Sequence, residues 1–373
     1  MGAATPPRSV LITGFPAFLA GKLARRALEA DDSCRVRLVV LETQLLHFKH
    51  FRSSLPEAQQ ARLSAFVGDV VDMDLGLSGA EYEAVTAETQ EIFHLAGIYW
   101  LGADPEEARK VNVEGTREVL RLAKDCQRLT SFCYFSTAFV SGDRTGVVLE
   151  EDLDAGQSFR NPFERTRFEA ERLVRQASTD EDLPVIIFRP SVIVGHSVTG
   201  QIDRMSGPYF LMNAIVNWPV DVPLPLPGRG DAPMNLVPVD FVAAAAHHIS
   251  RDPRAIGRVF HLTDPNPLPA RRVFELVAEA AGRRAPRGLL PTRVARAVMK
   301  LPGLSRVSAA PRHFLEYFDQ AVIWRCVGTL ELLRGTDIQC PPFESYVGAL
   351  VDFLRAKLES EQAAEASEGR AEP

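Results

Sequence analysis

The chain has 373 residues, 46% of them hydrophobic and 24% charged, which is enough to bury the core of a large α/β domain with or without an appendage. A net charge of −6 argues against a general nucleic-acid binder, whose surface must neutralise phosphates. Cys34, Cys126, Cys133, Cys326 and Cys340 are far apart with no C-x-x-C pair, which predicts free thiols in a reducing compartment and no metal site.

Val10–Thr13 is an apolar strand, and Phe15–Ala30 has helical spacing through Leu19, Leu23 and Leu28. Val36–Leu41 is of strand length and apolar apart from Arg37, as expected when both faces of a parallel sheet are covered. Gln60–Val67 leads to Gly68-Asp69-Val70, and Glu91–Ala96 is a further strand ending in a glycine loop. Asn112–Cys126 is predicted helical, Leu129–Phe135 a strand, and Asn161–Ala177 a helix that Asn161 caps, with Pro162 in its first turn and Glu164 completing a capping box. Val185–Phe188 is the sixth strand. Strands alternating with helices imply right-handed crossovers and a doubly wound parallel sheet of the α/β class.

After Gly195 the rhythm breaks into a Pro- and Gly-rich stretch from Gly200 to Gly230. Asn235–Val242 and Gly257–Thr263 read as a return to the sheet, and Pro267 to about Leu358 as mainly helical. The expected organisation is a nucleotide domain over residues 1–195 with a return segment over 235–265. A smaller, mainly helical C-terminal substrate lobe takes 196–234 and 266–358, and a small, polar, acidic tail over 359–373 is expected to be disordered. The N-terminus carries no secretory signal, Pro6 stands where a myristoylation site needs Ser or Thr, and no apolar run reaches the roughly 18 residues of a membrane span, so a cytoplasmic soluble protein is expected.

A strand, a glycine turn and a helix N-terminus make an anion site, because free backbone N–H groups and the helix dipole face the ligand. Thr13, Gly14, Ala17, Phe18 and Leu19 occupy that turn. Taken in order, Thr13-Gly14, His94-Leu95-Ala96-Gly97, Asn112-Val113-Glu114-Gly115-Thr116, Phe135-Ser136-Thr137-Ala138 and Arg189-Pro190-Ser191 resemble the extended short-chain dehydrogenase/reductase family. The likeness runs from about Val10 to Leu354 and is nearest to the fatty acyl and acyl-thioester reductase branch, whose C-terminal signature Cys340-Pro341-Pro342-Phe343 and Tyr346 resemble.

The resemblance implies a Rossmann domain that binds NAD(P). In the T-G-x-x-G-x-x-G loop of the family, Ala17 and Ala20 stand at the second and third glycine positions. Alanine is an accepted variant at the third. Glu42 falls where an acidic side chain accepts from the adenosine ribose, which favours NAD over NADP. Asp69 and Val70 match the adenine-edge contact and Ala96 and Gly97 the wall beside the ribose, and the resemblance also makes Pro190 and Val192 cofactor-binding residues. Thr137 matches the hydroxyl that orients the substrate carbonyl.

The family's Y-x-x-x-K pair is absent. Phe163 stands at the tyrosine position and Arg167 at the lysine position, and none of the six tyrosines has a lysine four residues later. A phenylalanine ring has no titratable group, and a guanidinium does not release its proton at neutral pH. Tyr99, His196 and Tyr209 are the candidate substitute donors, whereas His94 is expected to be a structural histidine. The reading therefore stays open between a nucleotide-binding protein with impaired chemistry, an active oxidoreductase with a substitute donor, and a non-binding scaffold. The substrate is expected to be a small molecule, with acyl-CoA or an acyl carrier protein in view. Eight Lys or Arg and no acidic residue lie between Ala280 and Leu315, with Arg293, Arg296 and Lys300 at helical spacing, a surface that suits an acidic partner or peripheral membrane contact. The oligomeric state is left open.

Overall fold

The computed structural model describes residues 7–217, 225–290 and 315–368. Seven parallel strands form the main sheet: β1 (Ser9–Thr13), β2 (Arg35–Val40), β3 (Leu63–Val67), β4 (Glu91–His94), β5 (Ser131–Phe135), β6 (Val185–Pro190) and β7 (Val259–Leu262). Their spatial order is β7-β6-β5-β4-β1-β2-β3. The order reverses between β1 and β4, and the crevice beyond the strand ends at such a reversal is where ligands bind in doubly wound sheets. β1, β4, β5 and β6 are buried along their length and mostly apolar, with Glu91, His94 and Arg189 among the buried polar exceptions. This is why those strands read as continuous hydrophobic runs.

The chain divides into two compact units. The first contains Met1–Ser191, Phe241–Thr263 and Trp324–Gln339; the second contains Val192–Asp240, Asp264–Ile323 and Cys340–Pro373. Trp324–Gln339, expected in the lobe, belongs to the first unit: Arg325 N–H bonds Val148 O at 2.9 Å, and the Glu150 carboxylate accepts from the N–H groups of Gly328 and Thr329 at 2.6 and 3.3 Å. Asn235–Val242 does not rejoin the main sheet. Leu236–Pro238 pairs in parallel with Val192–Val194 as a separate two-stranded sheet, and Val239–Ile249 is a helix. Four consecutive alanines and no strand-favouring run after Phe241 account for the helix. Only Val259–Leu262 returns to the main sheet.

The second unit packs Tyr209–Val216, Ala270–Ala280 and Phe343–Glu368 around a core that includes Phe274, Phe318, Tyr346 and Leu350. The last helix runs to Glu368, so residues 359–368 of the expected disordered tail are helical. Ala, Glu and Gln, all strong helix formers, dominate that stretch. The basic run with Arg293, Arg296 and Lys300 lies outside the described residues.

Candidate functional site

At the end of β1 the Thr13 hydroxyl is spent inside the protein. It bonds His94 Nδ1 at 2.7 Å and accepts from Ala96 N–H at 3.2 Å. His94 Nε2 meets the Thr116 hydroxyl at 3.0 Å, so both ring nitrogens have partners. Burial, with help from Arg167, pushes the His94 imidazole down to about 3 and keeps it neutral. His94 is the structural histidine that was expected.

Gly14 has φ +89°, and a Cβ there would stand 2.6 Å from Ala96 N. Glycine is thus required both by backbone conformation and by the chain crossing over it. Ala17 is the N-cap of the Phe18–Ala30 helix, its N–H bonded to Gly14 O at 2.9 Å. Alanine offers no capping oxygen, and the first turn holds no acidic residue. The positive end of the helix therefore has no capping side chain or acidic residue of its own, and Phe18 and Leu19 are half-buried at its opening.

Glu42 opens a short 3-10 turn after β2 and is exposed. Leu41, just after β2, and Val67, the last residue of β3, are 42% and 44% exposed, apolar surface next to Glu42 in the chain. Asp69 lies in a turn set by left-handed residues: Asp74 and Leu75 have φ 54° and 57°, and Leu75 O accepts from Asp69 N–H at 3.0 Å. The Asp69 carboxylate accepts from Val71 N–H at 3.2 Å, and Val70 is buried against Gly115. Pro190 closes β6 in the first unit, whereas Val192 opens a strand of the second.

Of the positions singled out from the sequence, Phe163, Arg167 and Tyr99 lie together in the first unit. The helix Pro162–Asp180 starts at Asn161, whose side chain accepts from Glu164 N–H at 3.0 Å, while Glu164 accepts from Arg160 N–H at 2.8 Å. This fixed start puts Phe163 and Arg167 on the buried face one turn apart, Phe163 at 6% exposure and Arg167 at 0%. Arg167 Nη1 donates to Phe135 O at 3.3 Å and to the Tyr134 hydroxyl at 3.5 Å. Its Nε and Nη2 have no protein acceptor, and among the described residues no carboxylate lies within ion-pair distance. The guanidinium carbon sits 4.2 Å from the Tyr99 ring centroid, and that ring is 6.1 Å from Phe163. A Cβ on Gly97 would come within 1.9 Å of Arg167 Nη2, so glycine there makes room for the arginine. Asn112 ties this loop to the helix: it accepts from Ile98 N–H at 2.7 Å and donates to Ile98 O at 3.2 Å and to the Thr166 hydroxyl at 2.8 Å. Asn112 lies in a π-helical turn, Lys110–Glu114, a distortion frequent at functional sites.

Thr137 is buried and caps the Ala138–Ser141 turn, accepting from Phe139 N–H at 3.3 Å. The Tyr99 hydroxyl donates to Leu95 O at 2.7 Å. Tyr209 and His196 belong to the second unit. Tyr209 is buried, its hydroxyl accepts from Gly195 N–H at 2.8 Å, and burial raises it to about 12. His196 Nδ1 accepts from Val198 N–H at 3.1 Å and lies 3.9 Å from Asp240, which itself holds Ser197. In the neutral ring this bond leaves the proton on Nε2.

Beside Arg167 lies a charge network that the sequence reading missed. Arg189 donates to both Glu171 oxygens at 2.6 and 3.0 Å, and the same carboxylate accepts from Ser136 at 2.6 Å and Arg175 at 3.0 Å. Burial pushes Glu171 up, but these donors outweigh it and hold the carboxyl below its ordinary value. The signal was there: Glu164, Arg167 and Glu171 fall at core-facing positions of one helix, where apolar residues are the rule.

Residues 12–246 match the family model described as male sterility protein, an NAD-binding family. The chain belongs to that family. Among its relatives are a linear gramicidin synthase from Brevibacillus parabrevis, 28% identical over 92% of this chain and 7% of that protein, and aldehyde reductase lnaA of Aspergillus flavus, 30% identical over 68% of this chain and 25% of that protein. The chain therefore spans a small part of these relatives. The fatty acyl-CoA reductase wat of Drosophila melanogaster is 28% identical over 52% of this chain and 43% of its own length. The terminal R domain of the myxalamid PKS-NRPS pathway superposes with a TM-score of 0.80 at 26% identity, covering 95% of this chain and 92% of that one. A UDP-glucuronic acid 4-epimerase of Bacillus cereus in complex with NAD shares the fold, with a TM-score of 0.67 at 17% identity over 93% and 99% of the two chains. This family member has the extended short-chain dehydrogenase/reductase fold and is an NAD(P)-binding, reductase-like protein related to thioester and fatty acyl reductases. Its residues fit the dinucleotide: an uncapped helix start, exposed apolar surface at Leu41 and Val67 and a buried arginine with donors to spare. No described helix is long and apolar enough to cross a membrane.

Proposed function

We propose that this protein binds NAD(P) in the crevice between β1 and β4 but lacks the proton relay of its reductase relatives, so that its turnover of an acyl thioester or ketone is impaired. The carrying observation is the buried Phe163 ring, which leaves the tyrosine position without an ionisable hydroxyl; the hydroxyl that Arg167 does reach, that of Tyr134, is fully buried and raised above its ordinary value by that burial.

In this reading the helix start at Phe18 receives the pyrophosphate, Asp69 and Val70 the adenine edge, and Glu42 the adenosine ribose, which favours NAD. Arg167 offers Nε and Nη2 to the nicotinamide side. A bound nicotinamide supplies a hydride. Thr137 lies at the position that orients a carbonyl, and the lost proton transfer raises the barrier by about 3–5 kcal/mol, a factor of roughly 10²–10⁴. The relatives' names suggest a thioester-bound acyl group, carried by coenzyme A or by a carrier domain, as the substrate class.

Tyr99 supports a second reading, an active oxidoreductase with a substitute donor, because its ring lies against both Phe163 and Arg167. Its hydroxyl would first have to leave Leu95 O. Calorimetric titration with NADH and NADPH tests the nucleotide site; absence of binding at millimolar nucleotide contradicts both readings and leaves a scaffold. Turnover that disappears in Tyr99→Phe while NADH still binds would select the second reading over the first.

A further inference from the structure

Arg167 is a buried cation without a counter-ion among the described residues. It is 0% exposed, and its two hydrogen-bond acceptors, Tyr134 Oη and Phe135 O, are both neutral groups. The neighbouring carboxylate, Glu171 one turn along the helix, is engaged by Arg189, Arg175 and Ser136. Of the other titratable groups near it, His94 is held neutral, and Tyr134 is raised by burial. The wall on one side is Gly97, where no side chain fits, and the cover on the other is the Tyr99 ring at 4.2 Å. Tyr99 is itself 45% exposed, so the ring against the guanidinium is partly in solvent.

An unpaired buried charge is costly, and a protein retains one where a ligand of opposite sign relieves the cost. Ribose hydroxyls alone would give Nε and Nη2 acceptors but would not neutralise the charge. A planar guanidinium offering Nε and Nη2 together matches the two oxygens of a carboxylate or phosphate.

We infer that Arg167 is an anion receptor, and that the ligand of this cleft presents a carboxylate or phosphate oxygen pair to Nε and Nη2 as the Tyr99 ring moves aside. The inference rests on the reading that this cleft receives nucleotide and substrate. It deepens that reading by giving the ligand group at this position a negative charge. The anion has two sources, a phosphate of the nucleotide or an acidic group on the substrate.

The test compares wild type with Arg167→Lys, which keeps the charge and restores the residue type of the family, and with Arg167→Gln, which keeps donors but removes the charge. Each protein is melted with sodium phosphate and with sodium acetate at constant ionic strength, and each is titrated with NADH by calorimetry. We expect a saturable rise in melting temperature with at least one of the two anions, or tighter NADH binding, in wild type and Arg167→Lys, with an affinity loss of tenfold or more in Arg167→Gln. A response to acetate assigns the anion to the substrate, and a charge-dependent affinity for NADH with no acetate response assigns it to the nucleotide. Equal responses of Arg167→Gln and wild type to all three probes overturn the inference. If NADH binds none of the three proteins while phosphate or acetate still distinguishes them, the nucleotide reading fails and the anion receptor stands.

Discussion

Arg167 and Arg189 are both fully buried, and both lie near the helix Pro162–Asp180, yet their surroundings differ in kind. Arg189 is bidentate to Glu171, donates to Glu150 O at 3.3 Å and Asp152 O at 2.7 Å, and reaches His261 at 3.3 Å. Glu150 in turn accepts from His261 N–H at 3.0 Å and Gly328 N–H at 2.6 Å, and the Thr329 hydroxyl donates to His261 O at 3.0 Å. That knot ties β6, β7 and the Trp324–Gln339 segment together. Arg167 has a ring on its face, two long hydrogen bonds and two unused donors. A buried cation whose donors are all engaged holds a fold together. One whose donors are spare marks a place where something else binds.

The sharpest way to break this contrast is to remove each cation in turn. Arg189→Met leaves the buried Glu171 carboxylate with only Ser136 and Arg175 as donors and is expected to cost about 3–5 kcal/mol in urea unfolding. Arg167→Met loses no ion pair and is expected to leave stability unchanged or higher. Equal losses in the two variants would mean that Arg167 is structural too.

A pH series probes the same knot. His94 and His261 are buried and held neutral, each down to about 3, by burial first and then by Arg167 and Arg189 respectively. Unfolding frees them to protonate near 6.5. Their contribution is therefore complete above about pH 6.5 and declines as pH falls toward 3, by up to about 1.4 kcal/mol per pH unit for each ring. His94→Gln should flatten the melting-temperature profile below pH 6.5; an unchanged slope would show that His94 is not among the groups that titrate on unfolding.

The smallest effect belongs to the phosphate turn. Ala17→Gly is expected to tighten NADH binding a few-fold, about 1 kcal/mol or less, because glycine caps better than alanine and lets the backbone approach. Unchanged or weaker binding by calorimetry would show that the alanine methyl is not what limits this loop.

Much of the fold was legible because the parallel strands are mostly apolar at their centres and the helices between them are periodic. The Asn161-Pro162 start placed Phe163 and Arg167 on their helix with little room for error. What was not legible depends on contacts distant in sequence. Nothing local says that Gly97 yields space to Arg167, that Thr13 turns inward to His94, or that Glu150 holds a segment 178 residues later. Asn235–Val242 misled because Leu236-Val237-Pro238 is a genuine strand, but one that pairs with Val192–Val194 rather than with the main sheet.

The most direct measurement is the rate of NADH oxidation with long-chain acyl-CoA, wild type against the Phe163→Tyr, Arg167→Lys double variant, at saturating nucleotide established by calorimetry. Restoring the hydroxyl and the lysine should raise the rate by roughly 10²-fold or more over a wild type that binds NADH but barely consumes it. A wild type that already matches the double variant, both turning over substrate, would contradict the loss of proton delivery at Phe163.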